Sequence, residues 1–90
     1  MKGGLETQMH ERGKQGDRRR ERALARALRV EILSILARGS AGLRQIVAET
    51  EEELAIVAYH LRVLVACCQI EPDPETVDGP PAARLYRLRR

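Results

Sequence analysis

Ninety residues with 43% hydrophobic side chains suit one small domain, and only two aromatics, Tyr59 and Tyr86, mean an aliphatic core. The net charge of +3 divides unevenly: residues 1–30 carry nine basic against four acidic side chains, residues 31–80 three against nine, and residues 81–90 four arginines without an acid. No run approaches the ~18 to 20 apolar residues of a membrane span, and the adjacent Cys67 and Cys68 are ill placed to bridge each other, which points to a reducing cytoplasm.

Residues 1–16 hold four of the seven glycines and no apolar period, so they read as a basic, disordered arm ahead of a domain spanning 17–90. Asp17 is a fair N-cap for the helix that follows, with Glu21 in its first turn. Leu24, Leu28, Ile32, Ile35 and Leu36 form one face of that helix, and Gly39 stops it. A short loop over 40–42 leads to LRQIVAE, a two-turn helix with Leu43, Ile46 and Val47 inward. Thr50 and Glu53 have capping-box spacing, so the next helix is expected to start at once.

That next helix, reaching about Cys67, carries Leu54, Val57, Leu61 and Leu64 as an inward stripe. Its other face holds Ala55, Ile56, Ala58, Tyr59 and Arg62. Strands are expected over 69–71 and 83–88, separated by a proline-rich stretch with Asp78-Gly79 as a turn signal. The cysteine pair reads as core filling at the helix end. The resulting order is long helix, short helix, helix and β-hairpin: a mostly α fold of the winged helix-turn-helix layout.

Three strings resemble the ArsR-type branch of transcription regulators: ALARALRVEILSILARG over 23–39, VAYHLRVLVACCQIE over 57–71, and RLYRL over 84–88. The resemblance implies a DNA-binding regulator that lays the helix of about residues 53–66 in the major groove of double-stranded DNA. By position it implies contacts from Ile56, Ala58, Tyr59, His60 and Arg62. Arg44, Arg84, Arg87 and the arginines Arg18, Arg19 and Arg20 supply cations for phosphate. Where the family has glycine, between the two helices and at the helix-to-strand turn, this chain has Glu51 and Cys68. Ala27 replaces a family proline, so the first two family helices are expected to run as one.

A homodimer through the first helix is expected, because no helix follows the wing and the core is small. His60 adjoins the apolar stripe, where packing is the commoner use of a histidine. No metal site, cofactor or catalytic constellation is evident, because convergent ligands, a glycine-rich phosphate loop and a nucleophile with its base are all missing. The alternative to DNA binding is a protein-interaction module whose acidic middle docks a basic partner. The acidic triplet Glu51, Glu52 and Glu53, together with Asp73, Glu75 and Asp78 at the wing tip, gives that alternative its weight.

Overall fold

A computed structural model describes the backbone of residues 2–90 and the side chains from Gly16 onward. Helix α1 spans Lys2–Ala37. It runs through the segment expected to be an arm, so Asp17 lies inside the helix and does not cap it. The physical reason is that no proline precedes Pro72, and Glu, Gln, Met, Lys and Arg sustain a helix across the glycine pair Gly3-Gly4 and the single Gly13 and Gly16. Leu28, Ile32, Ile35 and Leu36 are buried along one face, whereas Leu24, one turn earlier, is 65% exposed. The helix ends by tightening: the Arg38 and Gly39 N–H groups bond the Ile35 and Leu36 carbonyls at 3.1 and 3.2 Å. Gly39 then takes φ +147, a conformation open to glycine and strained for any other residue.

The loop expected over 40–42 contains a strand. Strand β1, Ala41–Gly42, pairs antiparallel with the last strand, Ala41 opposite Tyr86 and Gly42 opposite Leu85. Two residues show no alternation, so nothing local announces this strand. Its partner lies far along the chain. A Cβ on Gly42 would stand 3.3 Å from the Arg84 carbonyl oxygen, so the small residue lets the two backbones approach.

Helix α2, Leu43–Thr50, buries Ile46. Thr50 does not start the next helix as a capping-box residue. It closes α2, with its Oγ1 donating to the Ile46 carbonyl at 2.8 Å. Glu51 follows in the left-handed conformation at φ 58, its N–H bonding the Val47 carbonyl at 2.9 Å. Helix α3, Leu54–Ala66, begins after Glu53, whose side chain makes no capping bond. Val57, Leu61 and Leu64 are buried, as expected, but Leu54 is 47% exposed. The three-residue turn sets the first turn of α3 outside the core, which corrects the inward stripe to one that starts at Val57.

The end of α3 is a Schellman closure. Cys68 has φ 60, its N–H bonds the Val65 carbonyl at 3.0 Å, and the Gln69 N–H bonds the Leu64 carbonyl at 3.0 Å. Glu51 and Cys68 are the positive-φ residues other than glycine among those described. They stand at the two places where the resembled family uses glycine. Strand β2, Ile70–Pro72, and strand β3, Leu85–Leu88, form the wing, with Ile70 opposite Leu88 and Pro72 opposite Tyr86. The sheet order is β1-β3-β2, so Pro72 sits on an edge strand, where its missing N–H costs little. One aliphatic core joins α1, β1, α2, α3 and β2 through Ile32, Ala41, Ile46, Leu61 and Ile70.

Candidate nucleic-acid interface

Burial of Val57, Leu61 and Leu64 sets the rotation of α3, and helical spacing then determines what faces out. Ala55, Tyr59, Arg62 and Ala66 make one exposed stripe opposite the core. Tyr59 is 56% exposed, and its ring stands edge-on to that of His60 with centroids 5.3 Å apart. This contact limits where the phenol can swing. Arg62 is exposed and makes no ion pair among the described residues.

The other expected contact residues separate into groups. His60 is not on this stripe: it is 8% exposed, with Nδ1 unpartnered among the described residues. Burial lowers its pKa from the usual 6.5, the Arg29 charge adds to that, and Glu52 opposes it. The imidazole is therefore a neutral packing group facing α1, and its expected place among the groove-facing residues is corrected. Ile56 turns to the same flank, beside Leu24 and Leu28 of α1. Ala58 is half-buried on the opposite flank. Arg44 is exposed in the first turn of α2, and Arg18, Arg19 and Arg20 are exposed on α1.

On the wing, Arg87 is held by Glu71, with its Nε 2.9 Å from the carboxylate. Arg84 is half-buried, and its Nε is buried without a partner among the described residues. The wing loop is pinned to its own strands. Thr76 Oγ1 donates to the Asp73 carbonyl at 2.9 Å and accepts from the Leu85 N–H at 3.0 Å. The Asp73 carboxylate accepts from the Glu75 N–H at 3.0 Å. That acid therefore shapes the turn, and the acidity of the wing tip is partly structural. Cys67 and Cys68 are exposed free thiols, so the expected core-filling role is corrected: the Schellman turn carries both past the end of the core.

Residues 26–67, which run from within α1 through the turn to the end of α3, match the model of the bacterial regulatory proteins of the arsR family. Residues 26–67 form an arsR-family domain. The arsR domain is the DNA-binding part of transcription regulators, a family without enzymatic activity, and the winged helix-turn-helix order of the fold agrees with it. The curated proteins and solved structures compared with the chain gave no match. No described helix is long and apolar enough to cross a membrane.

Tyr59 and Arg62, expected on the outer face of the arsR domain, are both exposed. Ala66 joins that face unexpectedly, although its spacing of four from Arg62 was a signal for it. The groove between α1 and α3 depends on where α1 leaves the core and has no sequence signature.

Proposed function

We propose that α3 enters the major groove of double-stranded DNA with the Ala55–Tyr59–Arg62–Ala66 stripe toward the bases. The observation that carries this is an exposed Arg62, without an ion pair among the described residues, beside an oriented Tyr59 on the face opposite the buried stripe. Arg62 would bond a guanine edge or a phosphate, and Tyr59 would pack on a sugar or a thymine methyl. Arg44 and the Arg18–Arg20 cluster would meet phosphate. Arg87 contributes only by leaving Glu71. The small Ala55 and Ala66 let the helix backbone approach the groove closely.

The working unit would be a homodimer through α1. Ala23, Val30, Ser34 and Ala37 recur at helical spacing, and all are exposed on the side of α1 away from the core. Ser34 Oγ donates to the Val30 carbonyl at 2.9 Å, so even its hydroxyl is satisfied within the helix. Such a stripe suits close packing against a second copy, and a two-fold dimer reads half-sites about one DNA turn apart. Two exposed free thiols side by side also fit the reducing cytoplasm where such regulators work.

The test is fluorescence anisotropy on duplex DNA across salt concentrations. Arg62→Ala should weaken specific binding by ~1 to 3 kcal/mol if it reads a base, or lower the salt slope by about one if it meets phosphate. No duplex binding at ~50 mM salt, where phosphate contacts are strongest, would overturn the proposal.

A further inference from the structure

We propose that the groove between α1 and the first turns of α3 binds a small apolar cation, such as an arylalkyl ammonium. The groove is open to solvent along one side and offers about 330 Å³, at the lower end of small-molecule sites. Its apolar lining includes Leu24, Leu28 and Ile56, of which Leu24 is 65% and Ile56 39% exposed. Its charged lining is Glu21, Glu31 and Glu52, with no lysine or arginine among the lining residues. None of these carboxylates forms an ion pair among the described residues. Glu31 and Glu52 belong to the stretch 31–80, where acids outnumber bases nine to three, while Glu21 comes from the arginine-rich part of the chain before it.

His60 also lines the groove, more than nine-tenths buried and with Nδ1 unpartnered among the described residues. An unsatisfied polar atom in such a place is costly unless something supplies a partner. A neutral apolar ligand would leave the carboxylates unanswered, and an anion would be repelled by them. A cation with an apolar body answers both surfaces. Glu21 and Glu31 lie ten residues apart on α1, about 15 Å at the helical rise, with Glu52 across from them on the turn before α3. Their field therefore runs along the groove, opposed near His60 by the charge of Arg29. Because one wall belongs to α1 and the other to the helix proposed to read DNA, a bound ligand would brace α3 against α1.

The probes are 1-naphthylmethylammonium and 1-naphthylacetate, similar in shape and opposite in charge, titrated into the full chain and followed by calorimetry and amide NMR shifts. The cation should bind saturably, with shifts centred on Leu24, Ile56 and His60, and the anion should not. Glu31→Gln with Glu52→Gln, both at exposed positions, should weaken the cation about three- to tenfold while leaving the fold intact. Equal binding of the anion, or no saturable binding at millimolar cation, would overturn the proposal. So would loss of cation binding on raising protein concentration, since a second copy would then fill the groove.

Discussion

Replacing Glu51 separates two effects that share one residue. Glu51 has φ 58 and ψ 24, and its N–H bonds the Val47 carbonyl, a bond that any residue there keeps. A side chain in this region costs about 1–2 kcal/mol, and glycine returns about 0.5–1 kcal/mol of that as unfolded-chain entropy. Glu51→Gly should therefore stabilise the domain by about 0.5–1 kcal/mol, read as a higher urea midpoint at unchanged m. Glu51→Gln keeps the backbone strain and removes only the charge. That charge lies at the unfavourable end of the α2 dipole and the favourable end of the α3 dipole, so its loss should leave stability nearly unchanged. On duplex DNA both variants should bind about two- to fivefold tighter near 50 mM salt, because each removes one carboxylate beside phosphate. If Gly and Gln have the same urea midpoint, the turn is unstrained and the reasoning about Glu51 fails.

Stability should also depend on His60. Its folded pKa lies below the unfolded 6.5, so the unfolded chain binds the extra proton, and the stability held above pH 6.5 declines as pH falls toward the folded value. His60→Gln should remove that part of the slope in urea titrations at pH 7.5 and 5.5, and an unchanged slope would assign it to other groups. Leu61→Ala should cost about 2–5 kcal/mol, whereas Leu54→Ala should cost well under half of that, despite their shared helix. Thr76→Val breaks two bonds that pin the wing. It should speed amide exchange at Leu85, with little change at Ile32.

The stripe of α3 was legible from periodicity once its middle was considered, because Val57, Leu61 and Leu64 have no polar competitor at those spacings. Leu54 misled for a local reason. Capping-box spacing from Thr50 suggested an immediate start, but the Thr50 hydroxyl was already committed to closing α2. The resemblance marked Glu51 and Cys68 as glycine positions, and the backbone there is left-handed in both cases. Strand β1 left no trace because its pattern belongs to β3, not to its own two residues. That His60 packs was legible from its place beside the apolar stripe, whereas its facing α1 was not, since that depends on how two helices cross.

The pairing of Ala41 with Tyr86 has a consequence for how the domain is made. Strand β3 lies between β1 and β2, so both of the other strands wait for the last one to be synthesised. On the ribosome the helices can associate while the sheet cannot begin to close. Until Leu85–Leu88 emerges, the buried sides of Ala41 and Ile70 lack their neighbours. A chain stalled before that point would be a helical intermediate with open strand edges, the state most exposed to proteases and to mispairing with other chains.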